Sequence, residues 1–283
     1  MSALRVVGDL VRHREMLRNL VRRDLVVRYQ RSSFGVLLAL GVPVLVTTVF
    51  TAFFPRLMPG QDVRSYAFLV FIGYMAWDYF ARSIAIAVDV LRGHANLIGK
   101  VAFPLAVLPF SVCVSVLVHL AIGLTLGVAG NAAFGSGVQA SLWAAPLWLG
   151  VEFLLVSGAA FLVAVLGVLF RDAAQLVAVL SMLLFYATPV FWSPDIVPLA
   201  AVRELLPLNP LYHVVLGLRD AIVAGEPPRA AALGYAAAWG AVLFAAGSVA
   251  LHRARWRIAE ELGRSRSKES ARRSGTTRRA RSR

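Results

Sequence analysis

Asp78 and Arg82 stand four residues apart in this 283-residue chain, acid first. At that spacing the two side chains share one face of a helix and can pair. Both fall inside an apolar run, where an ionisable side chain is expensive and needs a partner or a purpose. Two readings stand: a local ion pair that lowers the cost of insertion, or the polar lining of a water-filled path. Glu152 lies in another apolar run with no opposite charge within helical reach. It is therefore neutral, paired across helices, or close to water. His119, in a third run, raises the same question, and Glu152 and His119 are the two groups a proton relay would use.

Covalent chemistry finds little footing. The stretch from Gly93 through Gly99, Lys100 and Val101 is the nearest approach to a phosphate-cradling loop. It has five residues between the glycines instead of four, and Val101 has no hydroxyl to hold magnesium. No HExxH, paired-cysteine or GxSxG motif occurs, which makes enzyme the weaker class of function. Cys113, the single cysteine, lies in an apolar run and reads as a small buried hydrophobe. Asp195, Glu204 and Asp220 are spread along one connection and do not form a cluster. Any ATP used by this protein is bound by another chain.

The elements that hold these residues follow from composition. The chain is 59% hydrophobic and only 16% charged, with mean hydropathy +0.71. That leaves too little charge to cover a water-facing surface. The apolar residues fall in blocks near the length that crosses a bilayer core of about 30 Å. Six spans are predicted, at 34–54, 66–88, 105–129, 142–170, 173–192 and 230–251. With the N-terminus inside, the cytoplasmic segments hold 23 of the 29 Lys and Arg residues and the outer segments five. The positive-inside rule therefore puts both termini in the cytoplasm.

The ends differ from the middle. Leu10, Leu17, Leu20 and Val21 gather near one face of residues 4–25, with arginines mostly elsewhere, as in a helix lying in the membrane interface. That helix is an inert anchor or a docking surface for a cytoplasmic partner. Eight arginines and no uninterrupted apolar core in residues 1–33 argue against a cleavable signal peptide. Residues 252–283 read as a basic, disordered tail drawn to anionic lipid. They carry no aromatic platform for nucleic acid.

Four ordered stretches carry a resemblance. The first is Arg23, Asp24, Leu25, Arg28, Tyr29, Gln30, Arg31 and Ser32, followed by Gly35 and Pro43. The second runs from Asn96 through Gly99, Lys100 and Phe103 to Pro104, with Leu108 and Pro109 after it. The third is Phe170, Arg171, Asp172, Gln175 and Leu176, continuing to Thr188, Pro189, Val190 and Phe191. The fourth is Leu208, Asn209, Pro210 and Leu211, then Arg219 and Asp220. In order and spacing they resemble the type-2 ABC permeases that export surface polysaccharides such as O-antigen and teichoic acid. The sequence departs from that branch at Leu38, where Trp is common, at Val42, where Asn is common, and at Leu105 and Ala106, which replace a polar pair.

The resemblance implies an all-α integral membrane protein of the bacterial plasma (inner) membrane. It would have six transmembrane helices, an N-terminal interfacial amphipathic helix, and re-entrant short helices between spans five and six. It implies a homodimer bound to a separate ABC ATP-binding subunit that carries ATP and magnesium, with no cofactor in this chain and a lipid-linked glycan as substrate. Docking on the ATPase would fall to Arg23, Asp24, Arg28, Tyr29, Arg31, Asn96, Lys100, Phe103 and Pro104. Spans one and five would form the conduit. There Phe185, Tyr186, Phe191 and Trp192 either stack on passing sugar rings or form the ordinary interfacial aromatic belt. Export of drugs or lipids, proton-coupled transport and a membrane-bound transferase are the competing functions.

Overall fold

A computed structural model describes residues 3–29, 35–57, 63–98, 104–194 and 198–281. Among the described residues every regular element is helical: α1 (Ala3–Arg12), α2 (Arg14–Tyr29), α3 (Gly35–Leu57), α4 (Val63–Gly93), α5 (Ala95–Ile98), α6 (Val107–Phe134), α7 (Ala145–Leu169), α8 (Ala173–Tyr186), α9 (Ala200–Leu205), α10 (Pro210–Arg219) and α11 (Ala230–Arg281). Four helices are long and apolar enough to cross a bilayer: α4, α6, α7 with the 3₁₀ turn Ala140–Ala144 ahead of it, and α11 over Ala230–Ile258. The apolar stretches Gly41–Phe53 of α3 and Ala173–Tyr186 of α8 are shorter.

Helix α4 is the axis of the bundle and packs against α3, α6, α7, α8 and α10. Its fully covered side chains include Ile72, Met75, Tyr79, Ala87 and Leu91. Gly123 and Gly127 let α6 pack closely on α4. A Cβ at Gly123 would strike the side chain of Met75, and one at Gly127 that of Ile72. The largest seam joins α7 to α11. A side chain on Gly158 would collide with the backbone of Leu243 and Phe244, which lets the two helices approach along small residues.

Three boundaries differ from the sequence reading. The fifth apolar segment, expected over 173–192, is helical only to Tyr186. Thr188 to Trp192 leave the helix because Pro189 has no N–H to continue it and their carbonyls are bonded from other elements. The N-terminal amphipathic segment is two helices broken at His13, not one. Val6, Leu10 and Leu20 are buried as α1 packs on α11 and α2 on α6, while Leu4, Val7 and Val11 stay exposed.

The basic tail is the third correction. Disorder was expected from residue 252, but the backbone of α11 stays helical through Arg281. Leu251, Ala254 and Ile258 are buried. Their spacing of three and four residues gives this part of the helix an apolar edge, which the abundance of arginine conceals in composition.

Candidate functional site

The two predicted docking segments meet at one end of the bundle. One Nη2–H of Arg23 on α2 donates to Nε2 of His94, just after α4, at 2.7 Å. The other ring nitrogen of His94 donates to the carbonyl of Val90 at 2.9 Å. This pair of bonds fits the neutral tautomer with its proton on Nδ1. Nearby in sequence, Arg92 donates to the carbonyls of Phe170 at 3.0 Å and Val168 at 3.4 Å. It thus ties the end of α4 to the joint between α7 and α8, where Arg171 and Asp172 are exposed. Asp24 is half-buried, and Pro104 accepts from Val107 N at 3.0 Å as the chain enters α6. Arg31, Lys100 and Phe103 lie outside the described residues, as do the side chains of Arg28, Tyr29 and Asn96. Sequence reading did not single out His94. Its position seventy-one residues from Arg23 leaves no local signal.

In the middle of the bundle Asp78 and Arg82 pair as expected. Arg82 donates through Nε at 2.8 Å and Nη2 at 2.9 Å, one bond to each carboxylate oxygen. His119 of α6 brings its Nε2 to 3.6 Å from the same carboxylate, so the pair is a cross-helix group and not a purely local one. Glu152 stands apart. It is fully buried, and neither carboxyl oxygen has a hydrogen-bond partner among the described residues. Among the described residues no hydrogen bond joins Glu152 to His119.

At the opposite end the third and fourth sequence stretches form one joint. Asn209 caps α10 by accepting from Leu211 N at 3.0 Å, with Pro210 preset at the first helical position. Its amide N–H reaches Thr188 Oγ1 at 2.9 Å. Arg219, at the end of the same helix and 5% exposed, donates through Nη1 to the carbonyls of Pro189 at 2.6 Å and Trp192 at 3.2 Å. Tyr66 of α4 donates to the carbonyl of Phe191 at 2.6 Å. Residues 188–192, which have left the helix, are thus held by hydrogen bonds from α4 and α10. A π turn (Asp220–Ala224) follows α10 and ends at Gly225, whose φ of 82° suits a residue without a Cβ. Asp220 is half-buried there. Burial pushes its carboxyl up to about 6, Glu226 adds to the rise, and Arg229 and Arg219 oppose it.

The aromatic candidates separate into two places. Phe185 contacts Tyr186 at 5.5 Å, Phe191 at 5.7 Å and Trp77 at 5.3 Å between ring centroids. Phe191 stacks on Phe50 at 4.3 Å. This cluster spans α3, α4 and α8, and Trp77 extends it to Phe80 at 5.5 Å. Trp192 instead lines a small cavity with Tyr66, Arg219 and Asp220. Phe50, Trp77 and Phe80 escaped the sequence reading because they come from other spans. Among the described residues no group of three or more His, Cys, Asp or Glu is arranged to hold a metal ion.

Comparison with known proteins supplies what geometry alone does not. An O-antigen export system permease protein RfbA of Myxococcus xanthus is 28% identical over 260 residues, which cover 92% of this chain and 100% of the relative. Two permeases of the same description from Klebsiella pneumoniae are each 26% identical over 212 residues, covering 75% of this chain and 81% of theirs. The pattern of the family described as ABC-2 type transporter matches residues 15–223. That interval contains the Arg23–His94 joint, the Asp78 group and the Arg219 joint: the chain belongs to the ABC-2 type transporter family.

Proposed function

We propose that this chain is the transmembrane permease subunit of an ATP-driven ABC exporter that moves a lipid-linked polysaccharide across the bacterial plasma membrane. The observation that carries the reading is the likeness over the full length of a relative named as an O-antigen export permease. The Phe50, Trp77, Phe185, Tyr186 and Phe191 cluster supports it, because aromatic faces stack on sugar rings with little demand for one sequence of sugars. ATP hydrolysis belongs to a separate subunit docked around Arg23 and His94.

In this reading α3, α4, α6, α7, α8 and α11 are the six spans, and α9 and α10 are re-entrant helices at the outer mouth. Both termini are cytoplasmic, in line with the distribution of basic residues. Two copies form the conduit. The exposed apolar residues Leu45, Val49 and Phe53 of α3 and Leu176, Leu180 and Leu183 of α8 give them surface to meet across. Closure of the ATPase is passed through α2 and the α4–α5 joint into α3 and α8.

Depletion of the protein in its host tests the cargo. A glycan on its polyprenyl carrier should accumulate on the cytoplasmic side, and surface glycan should fall. Normal surface glycan with retention of a drug or lipid would contradict the assignment.

A further inference from the structure

One cavity of the bundle lies away from the aromatic cluster. It has a volume of about 560 Å³, within the range of small-molecule sites, and sits between the start of α7, the outer side of α10 and the start of α11. Trp148, Tyr212, Leu216, Gly217, Ala232 and Tyr235 form its walls. The small residues leave the space, and a Cβ on Gly217 would run into the indole of Trp148.

The polar atoms of the wall are mostly committed. Tyr235 donates to the carbonyl of Leu208 at 2.8 Å, and His213 Nε2 is bonded to the carbonyl of Pro207 at 2.8 Å. A hydroxyl-rich ligand would find few partners there, whereas a hydrocarbon chain would lose nothing. Trp148 Nε1, buried and with no acceptor among the described residues, is left over.

Two further features identify the ligand. Tyr235 is one helical turn from Trp239 and two from Val242, which are 41% and 58% exposed on α11. The cavity is therefore continuous with an apolar outer face. Its mouth carries charge of both signs: Asp220 and Arg229 line it, and Glu226 pairs with Arg229 at 3.4 Å. A phosphate can bind Arg229 while an ammonium binds the carboxylates.

We infer that this cavity holds one acyl chain of a zwitterionic, amine-bearing phospholipid, its phosphate on Arg229 and its ammonium on Asp220 and Glu226. Leu216 and Asp220 line both this cavity and the smaller one that contains Arg219 and Trp192. The lipid thus packs against α10 next to the cavity that borders the 188–192 joint. The inference rests on the membrane placement proposed above and assumes nothing about the cargo.

The test uses the full chain with its ATP-binding subunit in vesicles containing phosphatidylethanolamine with a photoactivatable acyl chain. Labelled peptides are mapped by mass spectrometry. Labelling should concentrate on 207–217 and 228–235 and fall about tenfold when Ala232→Trp fills the cavity. Leu216→Trp serves if that variant does not assemble. The same probe on phosphatidylglycerol should label the site more weakly, and Arg229→Gln should narrow the difference. Labelling that is spread along α8 and α11 and indifferent to filling would overturn the site. So would protection by a soluble oligosaccharide, which would mark a sugar site. Equal labelling by both lipids would overturn the headgroup assignment. A chain that exports no glycan but still labels here would separate failure of the cargo reading from failure of this one.

Discussion

Arg219 holds the carbonyls of Pro189 and Trp192 with one nitrogen, and neither carbonyl has a helical partner among the described residues. Arg219→Met leaves buried acceptors unpaired, at about 1–3 kcal/mol for each group. We expect lower thermal stability in detergent and faster proteolysis within 187–199, with Arg219→Lys only partly restoring both because the lysine ammonium ends one bond short of the Nη1 position that serves both carbonyls. The Asp78 group should respond asymmetrically. Arg82→Met leaves Asp78, 8% exposed, with His119 alone. Asp78→Asn leaves an arginine whose side chain is 34% exposed. A buried charge stripped of its partner costs about 3–5 kcal/mol when fully enclosed. The first variant should therefore lose more stability than the second, as measured by thermal unfolding of the purified protein. Asp220 sets a pH dependence. Its folded carboxyl titrates near 6 against an ordinary 3.8, so the folded state holds the proton more tightly. Stability contributed by this group falls as pH rises from about 4 to about 6 and is flat above. Asp220→Asn should remove that slope and leave the protein more stable at pH 7.

Helix by helix, the seams that make the bundle are places where backbones touch. A Cβ on Gly158 meets backbone atoms of α11, whereas one on Gly150 of the same helix meets nothing within 4 Å. Gly158→Val should cost at least the 1–3 kcal/mol typical of overpacking and lower the yield of folded protein in size-exclusion chromatography. Gly150→Ala should be neutral or slightly stabilising, since alanine is the better helix former. How much of this was legible depended on range. The Asp78–Arg82 pair was readable because a spacing of four is a local property of a helix. His119 joining it was not, since that requires the packing of α6 on α4. The Thr188–Pro189, Asn209–Pro210 and Arg219–Asp220 motifs were visible as text in the right order. That they close one joint depended on chain reversal between α8 and α10. Trp192 looked equivalent to Phe191 by adjacency, but residues past Pro189 no longer follow helical phase. In the tail, Leu251, Ala254 and Ile258 carried a readable period that charge counting overrode.

Across the whole molecule, the two ends are differently built. One end joins α2, α4 and the α7–α8 turn through arginine contacts, and the other clamps 188–192 between α4 and α10. Such an arrangement lets a push at the first end travel along α4 to the second, because α4 takes part in both. His94→Leu removes the acceptor for Arg23 while sparing the helices. It should uncouple transport from ATP hydrolysis more than it weakens binding of the ATPase, read as cargo moved per ATP consumed. ATP-driven export is tested most directly in inside-out membrane vesicles containing this chain and its ATP-binding subunit. The measurement is accumulation of labelled lipid-linked glycan on the lumenal side. We expect accumulation that requires ATP, is lost when the subunit's phosphate-loop lysine is replaced, and survives collapse of the proton gradient. Accumulation that persists without ATP and stops with a protonophore would contradict the account.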